Sequence, residues 1–305
     1  MNGCSLASKL SSLPGLRRRR VHIWALLVLS IVVVLGLQAL IPEFHLMPGF
    51  VAGLGPGVVL AVLLGALICE YVDSSLGMGY GTTLTPLLLL VGFEPLQIVP
   101  CVLLSEFATG LSATVMHQRD GNVDLLRDPQ ARSAALMLSL LSVVGTVLAV
   151  TLALRIPKVW LKGTIGMIIL LAGITTLATL RRRLRYRRSH LIALGALAAF
   201  NKGLSGGGYG PLVTSGQVVS GLSPKKAVAI TSLAESLTCF VGLTSYLLLH
   251  RGLDWTLALP LTLGAMLSVP VATLTVRRLP DRALRVSIGA TTCVLGVFTL
   301  TKLLW

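Results

Sequence analysis

Four ionisable residues stand in segments where charge is expensive, and they pair by position. Glu106 and Glu235 lie 129 positions apart in two apolar segments, and Asp73 and Lys202 are separated by the same interval. A charged side chain in hydrocarbon costs roughly 2.5–3.5 kcal/mol at the least, so such groups face the protein interior or water and mark pathways or partners. The glutamates read as a proton-coupling or gating pair, or else as an interhelical hydrogen-bond anchor. Asp73 and Lys202, of opposite sign, allow a salt bridge across a pseudo-symmetry axis; alternatively Lys202 gives a cationic contact to an anionic substrate. Asp73 is grouped with Glu106 and Glu235 as a coupling or gating residue.

The same interval relates two glycine motifs. Gly77-Met78-Gly79-Tyr80-Gly81 falls on Gly206-Gly207-Gly208-Tyr209-Gly210, and the register continues through Thr85 and Thr214, Gly92 and Gly221, Pro95 and Pro224. Glycine-interrupted apolar segments at corresponding places in two halves point to the binding site of a secondary transporter. Non-helical backbone at membrane depth is tolerated only where protein or an aqueous cavity covers it. Expected substrate contacts are Gly77, Gly79, Tyr80, Gly81 and Thr82 from the first motif. The second supplies Asn201, Lys202, Ser205, Gly206, Gly208, Tyr209 and Gly210. Thr82 and Pro211 are expected to open short helices whose unpaired N–H groups favour an anion. The competing reading is that the glycines only permit tight helix packing. Met78 opposite Gly207 makes the two turns inequivalent.

The elements that must position these residues follow from the apolar runs. A basic cytoplasmic tail (1–20) precedes an extra transmembrane helix at 21–41, too long an apolar run for a secretory h-region. The first repeat (54–180) has an interrupted segment near 54–92 and spans near 96–118, 132–154 and 159–180. The second (189–305) has an interrupted segment near 190–221 and spans near 225–249, 255–276 and 284–304. If each interrupted segment enters and leaves on one side, 20 Lys and Arg residues lie inside and five outside, with Lys202 within a segment. If each crosses once, the counts become 14 and 11, and the cluster Arg181 to Arg188 is stranded outside. The positive-inside rule prefers the first arrangement, which makes the halves inverted repeats. The N-terminus is then cytoplasmic and the C-terminus periplasmic. The arms 82–92 and 211–221 are too short to cross, so the interrupted segments read as broken or re-entrant helices. The predicted fold is an all-α polytopic membrane protein: an N-terminal helix plus two inverted repeats, each a broken or re-entrant segment followed by three transmembrane helices.

Composition agrees and excludes other classes. Apolar residues make up 54% of the chain and charged residues 12%, against about 25% charged in a globular domain. A net charge of +15 from short basic loops reads as topology, with anionic lipids at the cytoplasmic face as partners, and not as nucleic-acid binding. Five scattered cysteines form no CxxC pair or metal framework, so no metal or cofactor is expected. His117, beside the polar stretch Gln118 to Asn122, is expected at the interface. The sequence lacks a nucleophile–base pair or a phosphate loop, which argues against an enzyme or an ATP-driven pump. The oligomeric state stays unknown.

At these residues the sequence resembles the sulfite exporter TauE/SafE family, also called the TSUP permeases. The resemblance rests on Asp73 to Gly81, Pro86, Gly92 to Pro95, Pro100, Ser105-Glu106 and His117 to Asn122. In the second half it rests on Lys202 to Pro211, Ser223-Pro224 and Thr231 to Glu235, so that it covers residues 55–305. It implies a bacterial inner-membrane transporter of sulfite, sulfoacetate or related organosulfonates, often outward; protons enter as a candidate partner through the glutamate pair above. Two rivals stay open: an anion channel on the same scaffold, and a non-transporting membrane partner subunit.

Overall fold

The computed structural model describes residues 55–93, 95–152, 188–205, 209–250 and 252–301, with short helical pieces within 167–178. The basic tail, the helix expected at 21–41 and most of the arginine cluster at 181–188 lie outside the described residues, as do Gly206, Gly207 and Gly208. Among the described residues the regular structure is helical. The helices in chain order are α1 (Pro56–Leu76), α2 (Tyr80–Val91), α3 (Pro95–Asp120), α4 (Pro129–Leu152), α5 (Arg188–Ser205), α6 (Tyr209–Val219), α7 (Pro224–His250), α8 (Trp255–Arg278) and α9 (Asp281–Thr301).

Local chemistry sets several boundaries. Proline opens α1, α3, α4 and α7, where its missing N–H would have no intrahelical partner in any case. α8 is capped by Asp254, whose side chain accepts from the Thr256 amide. α1 stops at Gly77, left-handed at φ 72°, whose N–H returns to the Asp73 carbonyl. Among the described residues four helices, at 56–76, 97–120, 224–248 and 255–278, are long and apolar enough to cross a bilayer, which makes the chain membrane-embedded. With 12 and 11 residues, α2 and α6 are too short to do so, as the arm lengths predict. They begin at Tyr80 and Tyr209, two residues before Thr82 and Pro211. Pro211 thus occupies the third helical position, still inside the first turn where N–H groups lack partners.

Packing exchanges elements between the halves. By the repeat interval, α1 to α4 correspond to α5 to α8. α8 lies along α1 and α3, whereas α4 lies along α5 and α7, and α3 crosses α7. Two apolar cores result. One joins Tyr80, Leu84 and Ile98 of the first half to Leu257 and Leu261 of α8. The other joins Ala135 and Leu138 of α4 to Leu191, Tyr209, Leu212 and Ile230 of the second half. Glycine allows close crossings: a Cβ on Gly264 of α8 would strike the Leu63 carbonyl of α1, and one on Gly110 of α3 would come within 2.8 Å of the Ser232 carbonyl oxygen of α7. Large apolar side chains such as Ile68, Leu136, Leu140, Leu248 and Val294 point outward, as lipid contact requires.

Candidate functional site

The polar centre is assembled from both halves. Lys202, in the last turn of α5, is buried, and its Nζ donates to Glu106 Oε2 at 2.6 Å and Glu235 Oε1 at 2.9 Å. α3 brings Glu106, and α7, crossing it, brings Glu235. These are charge-assisted hydrogen bonds in a buried site, where each counts for more than on a surface. Lys202 therefore pairs with the two glutamates rather than with Asp73.

The start of α2 faces the same centre. Gly81 N–H donates to Glu106 Oε1 at 3.1 Å, and Tyr80 N–H to Asp73 Oδ1 at 3.3 Å. The anion-attracting end of α2 is thus held by the protein's own carboxylates, from α1 and α3. Glu106 does two jobs at once, with one oxygen on a helix N-terminus and the other on a lysine. Cys239 Sγ adds a weak contact to Glu106 Oε2 at 3.1 Å. Both tyrosines of the repeated motifs are fully buried and tied by their hydroxyls. Tyr80 meets Ser105 Oγ at 2.7 Å, and Tyr209 meets Ser142 Oγ at 2.7 Å.

The two motifs touch. Thr214 Oγ1 donates to the Gly77 carbonyl at 2.7 Å, and a Cβ on Gly210 would come within 2.6 Å of Met78 Cα. Gly79, at φ 122°, completes the turn into α2 in a conformation that side chains disfavour. Thr82 sits half-buried in the first turn of α2, while Asn201 and Ser205 belong to the last turns of α5.

Several residues of the centre escaped the sequence argument. Glu70, one turn before Asp73 on α1, is 1% exposed and bonded to Ser74 Oγ at 2.5 Å. An acid in an otherwise apolar span was the available signal, but repeat matching passes over it because its counterpart is Ala199. Ser142 and Cys239 carry no such signal. His117, expected at the interface, has its ring buried inside the protein. Nδ1 accepts from Asn122 Nδ2 at 2.9 Å and Nε2 donates to the Ser74 carbonyl at 3.1 Å, while Asn122 also donates to the Thr273 carbonyl. This knot ties the end of α3 to α1 and α8.

At the helix ends, two aspartates join the halves. Asp128 caps α4 by accepting from the Gln130 and Ala131 amides, and pairs with Lys226 of α7. The Lys226 hydrogen bond is the main cause that holds the Asp128 carboxyl below its ordinary range. At the corresponding place, Gln97 of α3 donates to Asp254 at 3.3 Å.

Buried charges that bridge helices from two halves, next to short helices broken at glycines, are what a transporter needs to bind a polar solute at membrane depth. The chain matches the sulfite exporter TauE/SafE family over residues 61–299. It is also 29% identical over 248 residues to the probable membrane transporter protein YtnM of Bacillus subtilis (strain 168), covering 77% of this chain and 80% of that protein. A small-molecule substrate and a lipid environment follow from that kinship. The chain belongs to the sulfite exporter TauE/SafE family of membrane transporters.

Proposed function

We propose that this transporter moves a small sulfur-containing anion, such as sulfite, sulfoacetate or another organosulfonate, by alternating access, and most simply exports it. One observation carries the reading: Glu106 occupies, within the protein, the position an anion would take. Its carboxylate sits on the N-terminus of α2 and on Lys202, two features that attract a small oxyanion equally well. An incoming anion takes over Lys202 and the Gly81 amide, and Glu106 turns away. Because Lys202 also holds Glu235, that exchange alters contacts between α3, α5 and α7 at once. Exchanged packing of α4 and α8 supports inverted halves that rock about this centre, with the N-terminus in the cytoplasm and the C-terminus outside the inner membrane.

Flux of sulfite and sulfoacetate into proteoliposomes, with and without a pH gradient, tests the reading. Saturable flux of one of these anions is expected, and Lys202→Met abolishes it. Absence of flux for every sulfur oxyanion would overturn the substrate assignment. Conductance that does not saturate would favour a channel on the same scaffold.

A further inference from the structure

We propose that Glu70 is the proton site of the transport cycle: it takes up a proton from water when an anion binds beside Lys202 and gives it up when the anion leaves. The inference rests on the anion site proposed above. It differs from coupling through Glu106 and Glu235, because both of those carboxylates are already engaged by Lys202.

Geometry carries the argument. Glu70 Oε1 accepts from Ser74 Oγ at 2.5 Å, but Oε2 is buried and has no hydrogen-bond partner. A buried carboxylate oxygen without a protein partner is costly, and a proton removes the charge that makes it so. Among the described residues no cation pairs with Glu70. On its own helix Glu70 has Cys69 and Asp73 as neighbours, and α2 brings Tyr80, bonded to Ser105. α3 brings Glu106, Thr109 and His117, whose ring serves Ser74 and Asn122, and α7 brings Glu235. Along α8, which packs on α1, no titratable side chain occurs between Trp255 and Val276. α9 adds only Cys293 between Arg285 and Lys302. Lys202 on α5, bound to two glutamates, is the cation of the cluster.

Charge balance supplies the coupling. Lys202 offsets one carboxylate of its pair, so an anion arriving there adds negative charge to a centre already rich in acids. A proton at Glu70 offsets that addition without disturbing Lys202. By linkage, the proton then favours the bound anion as much as the anion favours the proton. The polar line from Glu70 through Ser74 and His117 to Asn122 leads toward the loop after α3, where Gly121 is exposed.

Calorimetric titration of the detergent-purified protein with sulfoacetate, in two buffers of different ionisation enthalpy, reads protons bound per anion. Net proton uptake on sulfoacetate binding, of up to about one per anion, is expected for the natural chain, and loss of that uptake with retained sulfoacetate binding for Glu70→Gln. Undiminished uptake in Glu70→Gln overturns the proposal. If that variant fails to fold, infrared difference spectra of the natural chain decide. A protonated-carboxyl stretch that grows on adding sulfoacetate, and shifts in Glu70→Asp, supports it; absence of any such band overturns it. If sulfoacetate and sulfite do not bind at all, the anion reading fails separately. The proton site then stands or falls on whether pH alone, without anion, raises that band in the natural chain.

Discussion

The two halves share a frame and differ in charge. Where the first half has Asp73, the second has Lys202; Glu70 faces Ala199 and Gln97 faces Lys226 in the repeat register. Helical features repeat more faithfully: the short helix after each glycine motif, the tyrosine at its start, the proline that opens the next long helix. Neither half is electrically complete. The first contributes Glu70, Asp73 and Glu106, and the second contributes Lys202 to meet one of them and its own Glu235. Repetition supplies the scaffold, and departures from it create a place where a buried lysine is held between two acids. Any two-site model with equal halves is at odds with this arrangement.

Substitution at positions 73 and 202 breaks the comparison most directly. Lys202→Met leaves two buried carboxylates facing each other without a cation, and removal of one partner from a buried pair costs about 3–5 kcal/mol. Asp73→Asn removes a charge that accepts one long amide hydrogen bond at 3.3 Å, and a cost of about 1 kcal/mol is expected. Thermal unfolding of both variants in the same detergent reads the difference. Equal losses would show that the lysine is not the organising charge.

Next in size is the contrast between the glutamates. Glu106→Gln disturbs Lys202, the Gly81 amide and Cys239, whereas Glu235→Gln disturbs Lys202 alone among the contacts to its carboxylate. Glu106→Gln is therefore expected to cost more stability, by about 1–2 kcal/mol, and to reduce anion flux further. Flux and unfolding measured on the matched pair check this. A larger loss for Glu235→Gln would place the anion on the α7 side of Lys202.

Much of this frame is legible in the sequence because it depends on repetition and length. The glycine breaks at 77 and 79, the shortness of α2 and α6, and the pairing of Glu106 with Glu235 all follow from register and apolar run length. Partner choice does not. Asp73 and Lys202 are equivalent by position, yet Lys202 reaches the glutamates because α5 and α7 meet α3 through the exchanged packing, which pairwise register does not encode. Glu70 is not legible by repetition, since its counterpart is Ala199 and it has no repeat mate. His117 stands in the last turn of α3, where an interfacial ring is the ordinary expectation. Asn122 and Ser74 supply both ring nitrogens with partners and allow its burial.

The smallest effect is expected at the helix ends, where the halves are joined by Lys226–Asp128 in one case and Gln97–Asp254 in the other. The first is an ion pair and the second an amide bonded to a carboxylate, and both are partly open to solvent. Exposed ion pairs contribute about 0.2–1 kcal/mol, so Lys226→Met should lower the unfolding temperature slightly at neutral pH, and more in low salt than in high. Asp128 has its carboxyl held below the ordinary value near 3.9, chiefly by Lys226. A depressed carboxyl contributes stability that is fully present above the unfolded value and is lost as pH falls through the folded one. The gap between the natural chain and Lys226→Met should therefore close in acid, as Asp128 takes up a proton in both. Gln97→Leu should cost less than Lys226→Met at neutral pH. If it costs more, the ion pair is not the stronger of the two clasps, and the end of the molecule that resists opening is the one carrying Asp254.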